Sequence, residues 1–265
     1  MEGKERMGIA DLAAIVGSVG FGLFLVVAMQ RAGRQQAGEI RCISNLRQWA
    51  DVFQGYVQRN DGNFISGHAW YWIERLDAEH KDRERTTIWF CPRADKPLFD
   101  EQRTRVRESA TFSAWGVLSG EAYGPAGMAG SYGLNGHALD APPGYRFERD
   151  IDTTFSWRTP NVKGAATIPL FIDALRFDLW PRATDEPPKQ REHEWGPNHM
   201  ARCCIDRHKG AVNCLFMDWS VRRVGLKQLW TLKWHRGFDT AGPWTKAGGV
   251  QPADWPQWMR GLPGD

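Results

Sequence analysis

The sequence has no surplus of charge of either sign, since 34 Lys and Arg stand against 31 Asp and Glu for a formal net charge of +3. That near-balance excludes the dense basic surface on which nucleic-acid binding depends, so no nucleic-acid partner is expected. Catalytic signatures are missing too: there is no Gly-x-Ser-x-Gly elbow, no phosphate-cradling glycine loop and no His-Glu-x-x-His segment. The cysteines, Cys42, Cys91, Cys203, Cys204 and Cys214, show neither C-x-x-C spacing nor a zinc-finger-type grouping with histidine. No repeat or low-complexity linker divides the chain. Together these absences predict no enzyme, no cofactor and no metal centre.

What the chain does have is a long apolar start. From Leu12 to Met29 there is no ionisable group, and across residues 7–29 the only charge is Asp11. At a rise of about 1.5 Å per residue this stretch reaches ~34 Å as a helix, enough for a hydrocarbon core of about 30 Å. A transmembrane segment is therefore expected. The alternatives are a buried core helix and a secretory signal peptide, the latter without a small-x-small cleavage site before Gln30-Arg31. No proline follows up to Asn60, and Ile40, Ile43, Leu46, Ala50, Phe53 and Val57 recur at spacings of three and four. That spacing predicts an amphipathic helix, which Asn60-Asp61-Gly62 would stop. The chain thus divides into a leader-like segment 1–6, a transmembrane and amphipathic helix 7–58, and a globular α+β domain 59–265.

The segment MGIADL at Met7–Leu12 resembles the start of type IV pilins and type II secretion pseudopilins, with Asp11 where those proteins carry a glutamate. Arg6 stands where the family has glycine and Met7 where it has phenylalanine, so cleavage between Arg6 and Met7 and an uncleaved anchor both stay open. Under the resemblance Asp11 serves assembly by meeting a neighbouring subunit's N-terminal amine; otherwise it sits among head groups or caps the helix. A second stretch, RHKGAVNCLFMDWSVRRV at Arg207–Val224, resembles the H-x9-DG motif of pilin-like proteins abundant in Planctomycetes and related bacteria. His208 and Asp218 hold the motif spacing, and Trp219 replaces its glycine. RCISNLRQWADVFQGYVQRNDGNF, WFCPRADKP and SYGLNG are similar to further segments of that family.

The resemblance implies a pilin-like α+β fold, a long N-terminal helix, half transmembrane and half amphipathic, packed on an antiparallel β-sheet domain. It implies a single-pass protein of the inner (cytoplasmic) membrane with its C-terminal domain periplasmic or extracellular. The flanking charges do not orient the span: Lys4 and Arg6 are offset by Glu2 and Glu5, and Arg31, Arg34 and Arg41 follow it, so the orientation comes from the resemblance. The implied partners are the membrane and other copies or other pilin-like subunits. A disulfide between Cys91 and Cys204, where the family also has cysteine, is implied as well.

After Asn60 the pattern is one of strands and loops. Residues 87–91, 168–172, 212–217 and 220–224 read as strands, the last two as a tight hairpin over Asp218-Trp219, with a helix from Leu226. His208 and Asp218 are read as motif residues of structural role, not as an acid/base pair or metal ligands. Asp61 and Asp173 lack the acid-rich spacing of a calcium loop, and His193, Glu194 and His199 fall in a Pro-rich stretch that reads as surface. Cys203 and Cys214 read as small buried hydrophobes. Among 14 Trp, Trp244, Trp255 and Trp258 read as rings fixing a wrapped C-terminal segment, an exposed polysaccharide-stacking strip being the alternative. The functional expectation is a structural subunit that assembles or anchors through its N-terminal helix. A membrane-tethered polysaccharide-binding module and a tethered hydrolase built around His208 are the alternatives.

Overall fold

The structure, a computed structural model, describes residues 9–67, 71–77, 87–116, 118, 126–142, 144–147 and 151–264, with the backbone alone for residues 9–20, 22, 31, 71, 77, 87 and 147. Arg6, Met7 and the side chain of Asp11 lie outside the described residues. The chain forms two units, residues 1–38 and 39–265. One helix, α1 (Ile9–Arg59), begins in the first and ends in the second. It stops where the sequence signals: Asp61 and Gly62 take left-handed φ of 53° and 82°, and the Gly62 N–H donates to the Val57 carbonyl at 2.9 Å.

Among the described residues no helix is long and apolar enough to cross a membrane. This corrects the expected transmembrane half of the N-terminal helix and, with it, the single-pass inner-membrane placement. Past Met29 the helix turns polar. Gln30, Arg34, Gln35, Gln36 and Glu39 then follow on every face. The amphipathic part is also shifted from the expected stripe. Ile40 is exposed, and the buried face runs through Cys42, Leu46, Trp49, Ala50, Phe53 and Val57.

Five strands form the main sheet: β1 (Tyr132–Asn135), β4 (Pro169–Asp173), β5 (Asp178–Leu179), β6 (Ala211–Phe216) and β7 (Val221–Gly225), in the order β5-β1-β4-β6-β7. β2 (Arg146–Phe147) and β3 (Ile151–Asp152) make a separate ribbon. The sheet is mixed and not antiparallel as expected, because β5 runs parallel to β1. Gly133 permits that pairing, since a Cβ there would stand 2.4 Å from the Arg176 carbonyl oxygen. The β6–β7 hairpin is present, with Val212 opposite Val224. Residues 87–91 instead contain a short 3-10 turn, Thr87–Trp89, and the expected C-terminal helix is the 3-10 segment Leu226–Thr231.

Strand periodicity sends β4 and β6 side chains to two cores. Phe171 and Leu215 join the α1 stripe, α2 (Tyr71–Asp77) and Trp89 on one face. Ile172, Val212, Cys214 and Phe216 join Trp230, Trp234 and Trp255 on the other. Trp49 anchors the first core, its ring centroid 4.7 Å from Trp89 and 5.0 Å from Phe171, with its indole N–H donating to the Ile88 carbonyl at 2.8 Å.

Candidate functional site

Asp173 closes β4 on the face that α1 covers, at a point where three other segments converge. α1 brings Cys42 as the first residue of its buried stripe. The chain leaving the Thr87–Trp89 turn brings Cys91, whose backbone N–H donates to Ser131 Oγ. A tight turn before β6, with Lys209 and Gly210 at φ of 51° and 79°, brings His208. Side-chain donors of Cys42, Cys91, Asp173 and His208 all lie within 4.8 Å of one another, and every one of these residues is buried.

The contacts are specific. His208 Nε2 stands 3.2 Å from Asp173 Oδ2 and 3.4 Å from Cys91 Sγ. Cys42 Sγ lies 3.6 Å from Asp173 Oδ2, and the two thiols lie within 4.8 Å of each other. Tyr132 Oη donates to Cys42 Sγ at 3.3 Å. Arg207 Nη1 donates to Asp173 Oδ1 at 3.0 Å, and the Asn213 N–H donates to Oδ2 at 2.9 Å. Arg207 is itself fully buried, and its remaining N–H groups reach the carbonyls of Thr111, Ser131 and Ser113. A buried guanidinium survives only when its donors are used in this way.

Burial by itself would raise the Asp173 carboxyl, but His208, Arg207 and the Asn213 N–H hold it well below the usual carboxylate range. Burial would lower His208, yet Asp173 and Cys91 push it up to about 9. Cys91 is brought to about 7 against its burial, by the hydrogen bonds from Cys42 and His208. Burial, the Cys91 bond and Asp173 push the Cys42 thiol up. Acid, imidazole and thiol are thus grouped as a reactive site would group them, but His208 is 1% exposed and Cys42, Cys91 and Asp173 are 0% exposed. No substrate can reach them in this conformation.

Of the residues singled out from sequence, His208, Cys91 and Asp173 meet here. Asp218 does not, because β6 separates it from His208. It is exposed and accepts from the Ser220 N–H and hydroxyl at 3.0 and 2.6 Å. Trp219 takes the left-handed φ of 67° that its motif position demands, and its half-buried ring meets Phe64 edge-on at 6.4 Å. Cys91 and Cys204 are both free thiols, placed in different cores. Cys203 and Cys214 are buried as expected, whereas His199, expected at the surface, is buried with Nδ1 accepting the Trp180 N–H at 3.1 Å. Trp255 is buried and Trp244 and Trp258 are half-buried against the second core, an arrangement of wrapping and not of display.

Sequence reasoning missed Cys42, Asp173 and Arg207 as members of one cluster. The available signal was Arg207-His208 two residues ahead of the mostly apolar run of β6, where charge is costly without a partner. No family model, curated protein or solved structure matches the chain.

Proposed function

We propose that this chain is a non-catalytic, pilin-like structural subunit that assembles with other copies of itself through the N-terminal part of α1. The observation that supports this reading is the exposure of Phe21, Leu23, Phe24, Leu25, Val26, Val27 and Met29, from 44% to 73% of each side chain. Burying each would contribute about 1.5–3 kcal/mol, so a helix left bare in this way has a strong drive to find apolar neighbours. These side chains surround the helix and do not form a single stripe, which suits a bundle in which each helix is covered by several others. The closed state of the Cys42/Cys91/Asp173/His208 cluster supports a structural role over catalysis.

The test is sedimentation velocity and chemical cross-linking of the full chain beside its Phe21→Glu/Phe24→Glu double variant. Concentration-dependent oligomers that the double variant abolishes support assembly. A wild-type chain that stays monomeric at high concentration, or oligomers indifferent to both charges, overturns it.

A further inference from the structure

We propose that Cys42 Sγ, Cys91 Sγ, Asp173 Oδ2 and His208 Nε2 form a structural site for one zinc-class divalent cation. Geometry is the first support. With Zn–S near 2.3 Å and Zn–N or Zn–O near 2.0–2.1 Å, a tetrahedral site separates nitrogen from oxygen by ~3.3 Å and sulfur from either by ~3.6 Å. The chain presents Nε2 and Oδ2 at 3.2 Å, Nε2 and Cys91 Sγ at 3.4 Å, and Cys42 Sγ and Oδ2 at 3.6 Å. Three edges of the tetrahedron are therefore already in place, and the other donor pairs fall within 4.8 Å.

Donor chemistry is the second support. Two thiolates and an imidazole select zinc over calcium or magnesium, which take oxygen ligands. All four positions are filled by protein, the mark of a structural site in contrast to a catalytic one with an open position. Charge also closes: a dication together with Arg207 neutralises two thiolates and one carboxylate. Outer partners are present as well, since Tyr132 Oη holds Cys42, and Arg207 and the Asn213 N–H hold Asp173. The four ligands come from α1, the Cys91 segment, β4 and the approach to β6, so the ion would staple the helix to the sheet. The site stands whether or not the chain assembles through residues 21–29.

The experiment uses the full chain, reduced and stripped of metal, titrated with Co(II) and then Zn(II). Expected are tetrahedral ligand-field bands and a thiolate-to-cobalt charge-transfer band that saturate at one ion per chain and are bleached by one zinc. Cys42→Ser and His208→Ala weaken binding by at least ~10-fold, while Cys203→Ala leaves it intact. Should those ligand variants fail to fold, the protein as isolated still decides: its zinc content by elemental mass spectrometry is expected near one per chain, with all thiols trapped as reduced. A folded wild-type chain that gives no stoichiometric cobalt spectrum overturns the site. So does an intact mass that shows Cys42 and Cys91 joined as a disulfide.

Discussion

Residues 21–29 and 42–57 belong to the same helix and are both rich in large apolar side chains, yet Phe24 is 69% exposed while Trp49 is 0% exposed. The difference lies in how the apolar residues are distributed. From Cys42 to Val57 they occupy one stripe, with Arg47, Gln48, Asp51 and Gln54 exposed on the opposite side. A single sheet satisfies a single stripe. From Phe21 to Met29 the apolar residues face every direction, and no one surface could cover them. The same helix thus spends its second stretch on the fold and leaves its first exposed.

The sharpest way to break this comparison is to truncate one ring in each stretch. Trp49→Ala removes a ring that meets Phe53, Trp72, Trp89 and Phe171 and is expected to lower the unfolding free energy by about 3–5 kcal/mol in denaturant titration. Phe24→Ala is expected to stay within about 0.5 kcal/mol in the same titration while weakening self-association. Equal destabilisation by the two would erase the distinction between fold and assembly. Ion pairs sharpen it further. Arg207→Met removes one of the two cationic partners of Asp173 and the donor to three buried carbonyls, and is expected to cost about 3–5 kcal/mol. Glu194→Gln removes the partner of Arg105 from a pair 42% exposed on both sides and is expected to cost under ~1 kcal/mol.

Much of the fold could be read from the residues, and the failures have a common cause. The helix stop at Asn60-Asp61-Gly62 and the β6–β7 hairpin were legible because each depends on adjacent residues. The stripe from Leu46 onward was legible because helical period is local. Ile40 was misjudged because its fate depends on where the sheet ends, which no window of the sequence contains. The parallel placement of β5 depends on the missing Cβ of Gly133, on a strand distant in sequence. The Cys42/Cys91/Asp173/His208 cluster gathers four segments, so its membership is a property of topology. His208 shares only a motif spacing with Asp218, whereas the carboxylate that reaches it is Asp173, on a neighbouring strand.

A second histidine group, apart from that cluster, sets an acid limit on the domain. His137 and His235 pack with rings tilted by 46° and centroids 4.6 Å apart. Burial holds His137 well below its ordinary value, and burial with Lys233 nearby brings His235 down to about 4. In the unfolded chain both would take up a proton near pH 6.5. Between about pH 6.5 and 4 the unfolded state therefore binds more protons at these two positions than the folded one, so the contribution of this pair is full above that window and falls as pH drops through it. For His235, which is only partly buried, the loss is on the order of 2 kcal/mol. Melting temperature measured from pH 7 to 4 is expected to fall steadily, and His235→Phe to flatten the slope. An unchanged slope in that variant would remove His235 from the account. Asp173 adds to the fall only at the acid end of this window, since its contribution is lost as pH drops through and below the ordinary carboxylate range.

At Trp219 two terms oppose each other. Its φ of 67° costs an L-residue roughly 1–2 kcal/mol that glycine would not incur. Its ring returns a comparable amount by half-burial against Phe64. Trp219→Gly trades one for the other and is expected to shift the unfolding free energy by less than ~1 kcal/mol. Trp219→Ala keeps the strained backbone and loses the ring, so it is expected to cost ~2 kcal/mol. The order of the two variants is what matters. If alanine is tolerated better than glycine, the left-handed turn is not strained, and the ring contact alone explains why this chain holds tryptophan there.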